Sequence, residues 1–189
     1  MNYPNLPWYC LPQERVAYYA PPKAGSQTLL KALLKKFRYP DPGMGNRRRF
    51  LHRALVESCQ VLALSVPPPG YTCVGFIRDP RPRFDSLWRN KCRDKGDNVP
   101  TELWDFSPQQ LLDYVTDHLW DNAHWSPQCA QLAHADIIYT LEYMREVLAL
   151  DGIGNESPAK EPLSYNMDQL DRVYALDWHL YENASSVYI

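Results

Sequence analysis

Arg15-Val-Ala-Tyr-Tyr-Ala-Pro-Pro-Lys-Ala-Gly-Ser-Gln-Thr-Leu-Leu-Lys-Ala-Leu-Leu34 changes its structural habit halfway along. Arg15 to Ala20 is a β-prone run stopped by Pro21-Pro22, which reads as a strand. Leu29, Leu30, Leu33, Leu34 and Phe37 then recur at helical spacing, with Lys31, Lys35, Lys36 and Arg38 on the other face. Between them lies the loop Lys23-Ala24-Gly25-Ser26-Gln27-Thr28. A strand that enters a helix through a short loop is the repeating unit of α/β folds.

Downstream residues extend the pattern. After the breaker cluster Pro40–Gly45, residues 46–58 read as a second helix with basic residues at its start. Val61–Val66 reads as a strand. Tyr71–Ile77 is apolar enough for a strand buried on both faces. Asp79 suits an N-cap and Pro80 a first helical position, so a helix is predicted over 80–93. Helical segments follow at 107–121 and 124–133, then a third core strand at Asp136–Leu141 and a short helix from Glu142. A loop is predicted at 151–165 and a C-terminal helix at Met167–Glu182. Strands alternating with helices predict one α/β domain, a parallel sheet flanked by helices, over 15–189. Residues 1–14 read as a Pro- and aromatic-rich arm.

Composition narrows the function classes. A chain of 189 residues supports one domain with a hydrophobic core. No run approaches the roughly 20 apolar residues of a membrane span. The first residues lack a basic segment followed by an apolar one, so a cytoplasmic location is expected. The five cysteines are odd in number and widely spaced with no C-x-x-C, which predicts free thiols rather than a zinc site or disulfide framework. Residues 15–95 carry 17 of the 20 Lys and Arg, whereas residues 96–189 carry 16 of the 22 acids. Such a basic half attracts anionic ligands. No nucleic-acid-binding module is present, so nucleic acid is not an expected partner.

Two stretches carry chemistry. At Lys23–Thr28 a helix N-terminus offers unpaired backbone N–H groups and a partial positive charge to an anion. Gly25 lets backbone approach a ligand, Ser26 and Thr28 add hydroxyls, and Lys23 adds a mobile cation. The loop is not a Walker A motif, which places its Lys after a second Gly. The second stretch is Phe76-Ile-Arg-Asp-Pro-Arg-Pro-Arg-Phe-Asp-Ser-Leu-Trp-Arg-Asn-Lys91. Its strand delivers Arg78 to the sheet edge where open α/β folds bind ligands. In the following helix Phe84, Leu87 and Trp88 form an apolar stripe, with Ser86, Arg89 and Arg93 opposite. Arg78 and Ser86 are thus expected to converge on one phosphate.

Together these stretches resemble the sulfotransferases that use 3′-phosphoadenosine 5′-phosphosulfate (PAPS), particularly the Golgi carbohydrate enzymes and their bacterial relatives. The matching patterns are P-K-x-G-[ST] at Pro22–Ser26 and R-D-P-x-x-R-[LF]-x-S-x-[WY]-R-N-K at Arg78–Lys91. His124-Trp125-Ser-Pro127-Gln128 and Asp136-Ile-Ile-Tyr-Thr-Leu-Glu142 resemble two further blocks. Asn155-Glu-Ser157 and Tyr174-Ala-Leu-Asp177 resemble C-terminal ones, so the likeness spans residues 15–182. Gln27 and Leu132 depart from the usual family residues.

The resemblance implies that Lys23, Ala24, Gly25, Ser26, Gln27 and Thr28 bind the 5′-phosphosulfate and that Arg78, Ser86 and Arg89 bind the 3′-phosphate. It implies a P-loop-like sheet and in-line attack by an acceptor hydroxyl, with a carbohydrate as the acceptor class the likeness points to, PAP released and no metal required. Lys23 is the expected electrostatic catalyst, and His124, His52 and Glu57 are the general-base candidates. Arg47, Arg48, Arg49 and Arg53 are candidates for holding an acidic glycan, and Trp8, Trp104, Trp120 and Trp125 for stacking on sugars. Two alternatives stand beside this reading: a P-loop kinase for a nucleotide or small metabolite, and an inactive PAP-binding protein.

Overall fold

In the strand Trp8–Leu11, Tyr9 and Leu11 join the core on one side of the sheet while Trp8 and Cys10 join the core on the other. This strand, β1, is followed by β2 (Val16–Tyr19), β3 (Leu62–Leu64), β4 (Thr72–Ile77) and β5 (Ile137–Thr140). The sheet order is β3-β1-β2-β4-β5. β1 runs antiparallel to both neighbours, whereas β2, β4 and β5 are mutually parallel. The computed structural model describes residues 6–39, 48–57, 61–96, 99–148 and 161–184.

Eight α-helices accompany the strands among the described residues. They are α1 (Ser26–Lys36), α2 (Arg48–Glu57), α3 (Pro80–Trp88), α4 (Pro108–Asp117), α5 (Gln128–Gln131), α6 (Met144–Val147), α7 (Met167–Val173) and α8 (Ala175–Glu182). α1 and α2 bury Leu29, Leu30, Leu33, Leu51 and Leu55 on the face that carries Tyr18, Val74 and Phe76. On the opposite face Ala17, Tyr19, Cys73 and Ile77 pack with Leu132 and with Leu180 and Tyr181 of α8. A third cluster joins Phe84 and Leu87 of α3 to Leu111, Leu112 and Val115 of α4, with Trp125, Leu170 and Tyr174. Each fully buried Leu contributes about 1.5–3 kcal/mol by leaving water. Truncating Leu33 to Ala would cost about 2–5 kcal/mol.

Several sequence expectations are corrected. The N-terminal segment is no separate arm, because Trp8–Leu11 forms an interior strand of the sheet. The sheet is mixed rather than wholly parallel. β5 is an edge strand, half-exposed throughout, rather than a central one. The helix from Pro80 changes to a π-helical turn at Arg89–Arg93. The C-terminal helix is broken at Tyr174, whose backbone (φ -109°, ψ 28°) leaves the helical region. The breaker cluster, Arg47, the side chains of Arg48 and Arg49, most of the 151–165 loop and Asn155–Ser157 lie outside the described residues. Among the described residues no helix is long and apolar enough to cross a membrane.

Candidate functional site

β2 and β4 are adjacent and parallel, with Tyr19 level with Gly75, so their carboxyl ends open on the same sheet edge. β2 continues into the Lys23 loop and β4 into Arg78. The Ala24 N–H bonds the Pro21 carbonyl at 3.0 Å, closing the turn. Lys23 and Gly25 both adopt left-handed backbone (φ 67° and 87°). Gly25 is the N-cap of α1, and its carbonyl accepts from the Leu29 N–H at 2.9 Å. No side chain caps this helix and its first turn holds no acid. The positive end of α1 therefore lies at the same sheet edge as the Lys23 loop.

The expected reason for Gly25 is corrected. A Cβ there would strike the Leu141 side chain and crowd Met144. That side of the glycine is filled by the segment after β5, so packing and the positive φ impose the glycine.

Arg78 meets the Lys23 loop directly. Its Nη1 donates to the Lys23 carbonyl at 2.9 Å. Burial pushes the Arg78 guanidinium below the usual arginine range, while Glu142, Asp79 and Asp85 pull it back. Asp79 caps α3 by accepting from the Arg81 N–H at 2.8 Å. Its carboxyl is pushed up by burial, against the Arg81 N–H and the Arg81 charge.

Lys23 also reaches across the opening. Its Nζ donates to Asn90 Oδ1 at 2.5 Å. Asn90 sits in the π turn, and its carbonyl accepts from the Gly96 N–H at 2.9 Å. Such turns interrupt the i→i−4 ladder and re-aim side chains.

The residues expected at the 3′-phosphate are placed differently from one another. Ser86 is half-buried on α3 beyond Arg78. Arg89 does not lie on a solvated face: it is 8% exposed, donates to the Glu161 carbonyl and stands 3.8 Å from Asp85. Asp85 also accepts from the Tyr165 hydroxyl at 3.0 Å. Arg89 thus holds Glu161 to the π turn, and Asp85 holds Tyr165 to α3.

The base candidates separate. Asn122 Oδ1 accepts from the His124 backbone N–H and faces His124 Nδ1, both at 2.9 Å. An amide oxygen only accepts, so Nδ1 carries the proton and Nε2 the lone pair of the neutral ring. His52 is tied instead to Tyr9, whose hydroxyl lies 3.1 Å from its Nδ1. Glu57 pairs with Arg53 along the exposed side of α2 at 2.5 Å. That pair occupies one arginine expected to hold a glycan. Among the tryptophans, Trp8 and Trp125 are core residues, which corrects their expected exposure, whereas Trp120 is exposed and Trp104 lies at the edge of exposure.

Sequence reasoning passed over a buried group that contacts the backbone at Pro22 and Arg78. Arg83, Gln128 and Asp177 are 2%, 0% and 0% exposed. All three lie within quoted motifs, yet nothing in their spacing shows that they meet. Among the described residues no group of three or more His, Cys, Asp or Glu is placed to hold a metal ion. No protein-family model, curated protein or solved structure matches the chain.

Proposed function

We propose that the chain is a PAPS-dependent sulfotransferase acting on a hydroxyl acceptor, with a carbohydrate as the acceptor class. The observation that carries this reading is the Arg78 hydrogen bond to the Lys23 carbonyl. It brings together the two cationic motifs that a ligand with anionic groups at both ends requires. The uncapped, acid-free start of α1 adds a third favourable element.

PAPS supplies, when bound, a sulfuryl group attached to a phosphate leaving group. Lys23 and the α1 N-terminus bind the 5′ side in this reading. Arg78 and Ser86 bind the 3′-phosphate, the arginine through charge-assisted hydrogen bonds. In this reading the Lys23 ammonium stabilises the negative charge that builds on the leaving oxygen. Asn90 orients that ammonium from across the opening. His124 is the favoured proton acceptor, because Asn122 fixes the tautomer that leaves Nε2 basic. Exposed Trp120 offers a stacking face for a sugar.

The test is thermal stability with PAP, without added metal, followed by transfer from labelled PAPS to a panel of glycans, lipids and small alcohols. At PAP about 100 times its Kd, stabilisation is about 2.7 kcal/mol. That raises Tm by roughly 5–10 °C for a chain of this size. No PAP effect, with stabilisation by ATP and Mg²⁺ instead, would replace this reading by a kinase. PAP binding without transfer to any acceptor would leave a binding protein.

A further inference from the structure

Asp177 is fully buried in α8, far along the chain from both cationic motifs. Its Oδ2 accepts from the Gln128 N–H at 2.9 Å and its Oδ1 from the Cys129 N–H at 2.8 Å, which fixes the start of α5. The Gln128 side chain then holds the Arg78 backbone on both sides. Its Oε1 accepts from the Arg78 N–H at 3.1 Å, and its Nε2 donates to the Arg78 carbonyl at 2.8 Å.

A second arm leads to the Lys23 loop. Arg83 Nη1 stands 3.8 Å from Asp177 Oδ2. From there Arg83 Nε donates to the Pro22 carbonyl at 3.3 Å, and Nη2 donates to the Ser126 carbonyl at 2.9 Å. The guanidinium also lies over the Tyr174 ring, 5.7 Å from its centroid. A buried carboxylate that leaves water is stable only where partners replace the lost hydration. Asp177 obtains them from Gln128 and Cys129 of α5 and from Arg83 of α3, and Gln128 and Arg83 in turn bond the backbone at Arg78 and Pro22.

We propose that Asp177 is a positioning residue that sets both cationic motifs at once, Arg78 through Gln128 and the Pro22–Lys23 peptide through Arg83. The ligand in this inference rests on the sulfotransferase reading; the mechanical role does not. Arg83 and Asp177 are themselves buried, so neither offers its charge to a ligand directly. Their effect passes through the backbone at Pro22 and Arg78.

Asp177→Asn separates the arms from bulk packing, since it keeps the size of the side chain. It removes the charge facing Arg83 and one of the two accepting oxygens. Native-state hydrogen exchange reads the outcome at the Ala24 and Arg78 amides, and PAP titration reads it at the site. Exchange at both amides is expected to quicken at least about tenfold. The PAP Kd is expected to rise at least about tenfold, with the α4 amides unchanged. Two further variants test each arm if Asp177→Asn does not fold. Gln128→Met should loosen the Arg78 amide and spare Ala24. Arg83→Lys, which keeps the charge but loses the forked donors, should loosen Ala24 and spare Arg78. Folded variants that leave both amides protected overturn the inference, as does loosening spread evenly over the chain. Wild-type protein that does not bind PAP would overturn the sulfotransferase reading, and the exchange pattern alone would then decide the role of Asp177.

Discussion

Arg78 Nη1 lies 2.9 Å from the Lys23 carbonyl oxygen, joining the end of β4 to the loop after β2. The bond occupies one edge of the guanidinium and holds the Lys23 backbone, while the Lys23 ammonium is directed to Asn90. Backbone position and side-chain position of Lys23 are therefore set by different residues. Lys23→Ala should leave the loop backbone in place and lower turnover at least about 100-fold, the scale for losing one preorganised electrostatic group. Steady-state transfer from labelled PAPS measures it, and activity within a few-fold of wild type would remove Lys23 from the chemistry.

Asn90→Ala removes the acceptor of the Lys23 ammonium and leaves the Asn90 carbonyl bond to Gly96 intact. A hydrogen bond to a charged group is worth about 1.5–3 kcal/mol. Turnover should therefore fall roughly 10- to 100-fold, and Lys23 should react faster with an amine-labelling reagent in the native protein. Unchanged labelling of Lys23 would show that Asn90 does not hold it.

Gly25→Ala meets two obstacles. The left-handed backbone costs a non-glycine residue about 1–3 kcal/mol. The new methyl also presses on Leu141. Thermal unfolding should show a drop of several °C, and Gly25→Ala with Leu141→Ala should not recover it, because the second change opens space but leaves φ at 87°. Full recovery by the double variant would mean that contact alone demanded the glycine.

Burial pushes the Cys10 and Cys129 thiols up to about 11 and the Cys92 thiol up to about 12, from 9.0. A folded value above the unfolded one means that thiolate forms more readily in the unfolded chain. Stability is thus fully present below pH 9 and is lost as pH rises from 9 towards 11–12. Denaturant unfolding across this range should show a falling alkaline limb, shallower in Cys92→Ala. At pH 8 the native protein should protect Cys10 and Cys92 from a thiol reagent. Rapid labelling of either would contradict their burial.

The units that frame the opening were legible in the sequence because their signals are local. Pro21-Pro22 ends β2 just before a helical leucine pattern begins, and Asp79-Pro80 marks the start of α3. β1 was missed because four residues buried on both faces show no alternation, and Pro7 and Pro12 around them read as an irregular arm. The break at Tyr174 has no Pro or Gly to announce it. The pairing of Arg83 with Asp177 had no local signal, since a charged residue is rarely fully buried without a partner and the partner lies 94 positions away in sequence. Asn90 was passed over because a π turn shifts the helical phase that a 3.6-residue period assumes.

The interior place of β1 bears on how the chain is handled. β3 reaches the rest of the sheet only by pairing with β1, and His52 of α2 rests on Tyr9 of the same strand. Trimming the chain to begin after Leu11 would not shed an appendage. It would cut β3 loose, bare the flank of β2 to unwanted strand pairing, and take away the floor beneath α2.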